Sequence, residues 1–217
     1  GASLSRALAE RALDPAEVGE IAISIARTLG GLHERGVIHR DVNPSNLIYH
    51  RESRTLKLID FGIASLLSRE DAGLRAPSKM EGTLAYIAPE QTGRMNRAVD
   101  DRADFYSLGA TLYELVTGQP PFPAGDPLEL VHAHIARRPV PPAGKAPAAG
   151  EALSAVVMKL LEKNAEDRYQ SATGLLHDLE EVQRRRAAGS SELFELGVGD
   201  VSGRLQIPEK LYGREQE

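Results

Sequence analysis

The sequence predicts an α+β fold that is predominantly helical, with a few short strands gathered near one site. Three observations predict it. The segments Asp14-Pro15-Ala16-Glu17 and Asp126-Pro127-Leu128-Glu129 repeat one helix-start signal. Asp can accept from orphan amides, Pro suits the first helical position, and Glu favours the positive helix end. Apolar residues then keep helical spacing over several stretches, and only 47–49 and 56–59 read as β-like pieces.

In chain order, Val18, Ile21, Ala22, Ile25, Leu29 and Leu32 share one face of the first predicted helix, which Gly36 ends or turns. Leu47-Ile48-Tyr49 and Leu56-Lys57-Leu58-Ile59 follow as strands around a charged turn. Residues 65–80 are polar and without period, so they read as a long loop, and long loops in compact domains are usually functional or disordered. Phe105, Leu108, Leu112, Leu115 and Val116 mark a strongly apolar helix ended by Gly118 and two prolines. Leu128, Val131 and Ile135 carry the next helix, and residues 139–147 form a Pro- and Ala-rich connector. Leu153, Val156, Val157, Leu160 and Leu161 mark another helix, and Leu175, Leu176, Leu179 and Val182 the last. The globular part is expected to end near Arg186, with a Gly/Ser-rich linker beyond. Gly197, Gly199 and Gly203 have the wrong spacing for a dinucleotide fingerprint, and no Lys-Ser/Thr pair follows them, so they read as linker.

Composition narrows the function classes. The chain has 217 residues, 41% hydrophobic and 26% charged, enough for one well-buried domain plus a tail. A net charge of −5 gives no support to nucleic-acid binding. With no cysteine, thiolate catalysis, disulfides and cysteine-based zinc sites are excluded. The six histidines include no His-x-x-x-His pair followed by a carboxylate. No apolar stretch is long enough to span a membrane, and no signal peptide is recognisable, so a cytoplasmic location is expected.

The chemistry sits in His39-Arg40-Asp41-Val42-Asn43-Pro44-Ser45-Asn46, and Asp60-Phe61-Gly62 begins fourteen residues beyond Asn46. Phosphoryl transfer needs a carboxylate to orient the attacking hydroxyl and hard oxygen ligands to hold magnesium on the phosphates. Asp41 suits the first task; Asn46 and Asp60 suit the second.

These residues resemble the catalytic loop and the magnesium-binding motif of the serine/threonine protein kinases. Ala88-Pro89-Glu90 is similar to that family's end of the activation segment, and residues 82–87 resemble its peptide-docking loop. Asp104-Phe105-Tyr106-Ser107-Leu108-Gly109 matches its central helix, and Arg168 the arginine that pairs with the motif glutamate, here Glu90. Singly, each triplet arises by chance and is more often a turn than a site; the order and spacing carry the resemblance. It covers roughly Leu13 to Arg186 and implies a protein-kinase-like C-terminal lobe with short strands at the catalytic and magnesium loops. It implies ATP and Mg2+ as cofactors and a protein substrate. Asp41 is the expected catalytic base, with Asn43 and Thr83 beside it; Asn46 and Asp60 would hold magnesium and nucleotide. His39, Arg40, Phe61, Gly62, Glu90, Asp104 and Arg168 are expected in structural or regulatory roles, Asp104 bracing the loop backbone and His39 packing it.

Two departures bear on activity. Asn43 stands where these kinases usually carry lysine, so it offers a hydrogen bond but no charge, and slow or differently supported transfer is expected. Nothing before residue 39 resembles a glycine-rich loop or the strand lysine that holds the phosphates, so the N-terminal lobe is expected to be absent and these residues alone inactive. The alternative is a pseudokinase-type docking or regulatory module; a small-molecule phosphotransferase fits less well, because residues 88–90 look built to position a peptide. In the loop, Ser65, Ser68, Ser78 and Thr83 are candidate phosphosites, Ser68 and Ser78 foremost, for a phosphate pairing with Arg40.

Residues 82–101, with Asp41 to Asn46, are further similar to the kinase module that opens large bacterial signalling proteins. There an ATPase-like module, sensory domains and often a histidine kinase follow, as in two-component systems, and Asn43 would be a subfamily trait. That resemblance implies a kinase lobe over 1–186, a linker over 187–207, and the start of an ATPase-like module over 208–217. The downstream ATPase and histidine kinase modules are then expected partners.

Overall fold

Asp14 accepts from the Ala16 amide at 2.7 Å and Asp126 from the Glu129 amide at 2.8 Å, so both predicted start signals cap helices. In the computed structural model, residues 2–11, 13–61, 65–66, 84–95, 97–123, 125–190 and 192–201 are described. Gly62, Ser68, Ser78, Thr83, Gly203 and residues 208–217 lie outside the described residues, as does nearly all of the 65–80 loop. The described residues are mostly helical: α1 (Leu4–Glu10), α2 (Pro15–His33), α3 (Arg102–Thr117), α4 (Pro127–Ala136), α5 (Pro142–Lys145), α6 (Gly150–Leu160) and α7 (Ala172–Ala187). None of them is long and apolar enough to cross a membrane.

Five short strands accompany them. β1 (Ala2–Ser3), β3 (Leu47–His50) and β4 (Thr55–Leu58) form an antiparallel sheet in the order β1-β3-β4, with Leu47 opposite Leu58. β2 (Val37–Ile38) pairs antiparallel with β5 (Ser65–Leu66). The first residues of the polar loop thus belong to a strand, because Val37 and Ile38 offer an open edge to them. Two further elements had no clear sequence signal. α1 is held by a Ser3 cap and buries only Leu4, and the Pro-rich connector contains the single turn α5. Both are too short for a 3.6-residue period to show.

Helix α3 is the centre of the core. Every residue from Ala103 to Tyr113 is buried, as expected of a helix packed on all sides. α2 and α6 pack against it, α7 packs on those two helices in turn, and together they bring in Ile21, Ile25, Val157, Leu160 and Leu179. At Gly109 an added Cβ would lie 2.7 Å from the Leu160 Cβ, so glycine permits the close approach of α3 to α6. Gly118 ends α3 in the left-handed conformation, its N–H bonded to Glu114 O.

The described part of the predicted linker runs back over α7. Phe194 and Leu196 pack on the core, and the Arg185 guanidinium lies 4.9 Å from the Phe194 ring centre. Asp200 accepts from Gln170 N and Ser171 Oγ, both at 2.7 Å, and Gly197 N donates to Asp178. These bonds fasten the chain across the start of α7.

A second apolar cluster, Leu84, Phe122, Leu130 and Ala133, seats residues 84–87 on α4. Beneath it His134 is fully buried, its Nδ1 2.9 Å from the Tyr106 hydroxyl. Lys163 Nζ donates to His134 O and Tyr106 Oη and lies 4.8 Å from the Phe122 ring centre. Burial, with the Lys163 charge adding to it, lowers the His134 pKa to about 3 from 6.5. Burial likewise lowers Lys163, to about 8.

His134 is neutral when folded, so its contribution to stability is complete above pH 6.5. Below that the unfolded chain takes the proton first, and stability falls at up to about 1.4 kcal/mol per pH unit toward pH 3. Lys163 acts only between about pH 8 and its ordinary value, outside this window. Urea melts at pH 7 and 5 are expected to show wild type losing about 2 kcal/mol more than a His134→Gln variant. Equal losses would mean that His134 does not set the acid limit.

Candidate active site

Leu47 opposite Leu58 puts Asn46 and Ile59 at the same end of the β3–β4 hairpin, where Ile59 N donates to Asn46 O at 2.9 Å. The 39–46 loop and the 60–61 motif therefore meet by strand pairing. Between β2 and β3 the loop turns through Arg40, whose φ of 67° is left-handed, and a short helical turn over Pro44–Asn46. Asp60 also has a left-handed φ, 63°. Such backbone is costly for a residue with a Cβ and persists where surrounding contacts hold it.

Asp104 supplies the main contacts. Its fully buried carboxylate accepts from His39 N at 2.9 Å and Arg40 N at 2.7 Å, and from His33 Nε2 at 2.9 Å. A carboxylate only accepts, so His33 carries its proton on Nε2. His39 is fixed by the same logic: Nε2 donates to Ile59 O at 3.2 Å, leaving Nδ1 to accept from Asp41 N at 3.3 Å. Its ring meets the Phe61 ring edge-on at 4.9 Å. With both nitrogens engaged, His39 ties the two motifs together and has no lone pair left to act as a base.

Asp41 is partly exposed and its two oxygens are separately held. Asn43 Nδ2 donates to Oδ1 at 2.7 Å and Asn46 Nδ2 to Oδ2 at 2.9 Å. Asn43 Oδ1 accepts from Ser45 N and Asn46 N, capping the turn. Asn43 is thus buried and turned onto Asp41 and the turn, and a lysine there could make neither acceptor bond. With Nδ2 spent on Asp41, the Asn46 side chain has its Oδ1 as the atom it could offer a ligand. Among the described residues no three His, Asp or Glu side chains converge on one point. An ion shared by Asn46 and Asp60 would need further oxygens from a phosphate ligand, which suits Mg2+ and not a cation caged wholly by protein.

Glu90 and Arg168 close the other side. The buried guanidinium donates to both Glu90 oxygens, at 2.6 and 2.9 Å, and its remaining donors reach the Glu162, Lys163 and Arg102 carbonyls. All five donors are used, so this buried pair leaves no uncompensated charge. Three residues without any sequence signal also support the loop: His33, Thr111, whose Oγ1 donates to Val42 O, and Gln91, whose Nε2 donates to Arg40 O. Their types are common and their sequence distances long, so only the fold identifies them. Phe61 and Ile59 are exposed apolar residues beside the site. Thr83 and Gly62 lie outside the described residues.

A family profile described as "Protein kinase domain" matches residues 1–179. The chain is 36% identical over 203 residues to the serine/threonine-protein kinase PknB of Mycobacterium tuberculosis, covering 89% of this chain and 32% of that protein. It is 37% identical over 180 residues to PknB of Mycolicibacterium smegmatis (83% and 28%), and 36% over 167 residues to PknB of Mycobacterium leprae (77% and 26%). It therefore spans a third or less of the length of these curated relatives.

Arg168→Ala is expected to destabilise the fold by about 3–5 kcal/mol in denaturant melts, because it strands the buried Glu90 carboxylate. Removing both partners should cost less than the sum of the single losses. A single-variant loss below about 1 kcal/mol would mean that water reaches the pair.

Proposed function

We propose, since this chain belongs to the protein kinase domain family, that it is the catalytic-loop lobe of a serine/threonine protein kinase, expected over residues 1–186. The observation that carries the proposal is the Asp41 carboxylate, held through both oxygens by Asn43 and Asn46 on a backbone pinned by Asp104. A carboxylate so oriented can accept the proton of a serine or threonine hydroxyl as that hydroxyl attacks a phosphoryl group. Asn46 Oδ1 and Asp60 would hold the magnesium of Mg-ATP, which supplies charge neutralisation on the phosphates. Residues 84–90, seated on α4 and clamped through Glu90, would form the floor for a peptide substrate.

Residues 1–38 contain neither a glycine-rich loop nor a phosphate-holding lysine motif, so transfer is proposed to need a phosphate-binding lobe beyond these 217 residues. A linker to residue 207 and an ATPase-like module from 208, with histidine kinase modules in the same bacterial protein, complete the proposed context. Among the described residues the buried Arg40 Nε has no hydrogen-bond partner, and burial lowers the Arg40 pKa. Both support pairing with a loop phosphate, at Ser68 or Ser78 by preference. If so, replacing both serines with alanine lowers the activity of the complete protein; unchanged activity removes the idea.

The deciding assay is intact-mass spectrometry of the full-length protein with Mg-ATP and a generic Ser/Thr substrate. Gains of one phosphate at a time are expected, with Asp41→Asn slower by about 10²-fold or more. Asn43→Ala is expected to be slower by about tenfold, having lost its hydrogen bonds to the Asp41 carboxylate and carbonyl and the cap. Mg-ATP binding without transfer would favour a docking or regulatory pseudokinase, the reading that the lysine-to-asparagine change at 43 supports.

A further inference from the structure

The Asp41 carboxylate is held by Asn43 and Asn46, and the peptide group between Arg40 and Asp41 brings the chain into that position. Among the described residues its N–H makes only the 3.3 Å bond to His39 Nδ1. Its oxygen accepts from Gln91 Nε2 at 2.9 Å. Asp104 lies one peptide upstream, on the amides of His39 and Arg40, and so leaves the Arg40 carbonyl free to rotate. Arg40 is also the left-handed residue of the loop, with φ 67°. Relaxation of that strain would turn this carbonyl first.

Gln91 is itself firmly based. Its Oε1 accepts from Ala88 N at 3.1 Å, its own N–H donates to Ala88 O at 3.0 Å, and its neighbour Glu90 is locked by Arg168. One amide side chain thus spans the gap between residues 88–91 and the peptide in front of Asp41.

We propose that Gln91 is a positioning residue that holds the Arg40 carbonyl and so orients Asp41, assembling the loop only while residues 88–91 are seated. The proposal deepens the kinase reading and rests on it. Glutamine suits the task because it presents one donor and one acceptor 51 residues away in sequence from the carbonyl it holds.

Gln91→Glu separates the two bonds, since glutamate keeps an acceptor for Ala88 N but has no donor for Arg40 O. Hydrogen exchange on the full-length protein is expected to show the Asp41 amide at least about tenfold faster in Gln91→Glu and Gln91→Ala, with α3 and the Asp104-bound Arg40 amide unchanged. In the phosphotransfer assay kcat should fall about tenfold or more in both variants while KM for ATP holds, the pattern of a displaced reacting group. Wild-type exchange at the Asp41 amide in the variants would overturn the proposal, as would a normal kcat in Gln91→Glu beside a slow Gln91→Ala, which would reduce Gln91 to a cap. If Gln91→Ala does not fold, Gln91→Glu decides alone. A wild type without transfer would sink the kinase reading, and exchange would still decide the role of Gln91.

Discussion

Asp104 carries a full carboxylate into the most buried helix of the molecule, and the loop around Asp41 takes its shape from that charge. A bare buried carboxylate would cost several kcal/mol. Here the cost is offset by three donors, the His39 and Arg40 amides and the His33 ring, and directly after the second amide the chain turns through a left-handed Arg40 into Asp41. The stability of the core and the conformation of the site are therefore one arrangement. Because α3 is packed on all sides, the carboxylate cannot move to follow a loop that relaxes.

Around this anchor the polar groups connect separate parts of the chain. Arg168 joins the loop after α6 to Glu90 and to the first turn of α3; Gln91 continues from Glu90 to the Arg40 carbonyl; His39 continues from Asp41 to Ile59 beside Asp60. Each link is a hydrogen bond with its partner fully specified, which makes the network costly to satisfy in part. Residues 84–87 are held by apolar contacts with α4, and Tyr86 reaches α3 through Glu114. The proposed substrate floor and the proposed base thus share their supports.

Much of the fold could be read along the chain, for physical reasons that vary by element. α2, α4, α6 and α7 keep an apolar face, and α2, α4 and α7 add side-chain caps that read directly as residue types. α1, α5 and β5 could not be read this way: each is too short for a period, and β5 depends on an edge offered by residues nearly thirty positions away. The return of residues 192–201 over α7 was equally illegible, since Asp200 looks like any solvated aspartate until Gln170 and Ser171 are brought to it.

The order and spacing of Asp41, Asn46, Asp60, Glu90, Asp104 and Arg168, with the helical character of the chain around them, were determined by the sequence alone. Residue type fixes what a side chain can donate, accept or carry as charge, and spacing fixes which side chains share a local turn. How the side chains face one another was decided by the tertiary structure. Asn43 turns inward to cap a turn and hold Asp41, His39 spends both ring nitrogens on backbone partners, and Gln91 finds the Arg40 carbonyl 51 positions away. Hydrogen bonds depend on distance and angle in space, and those are set only when α2, α3 and the β3–β4 hairpin pack into one core.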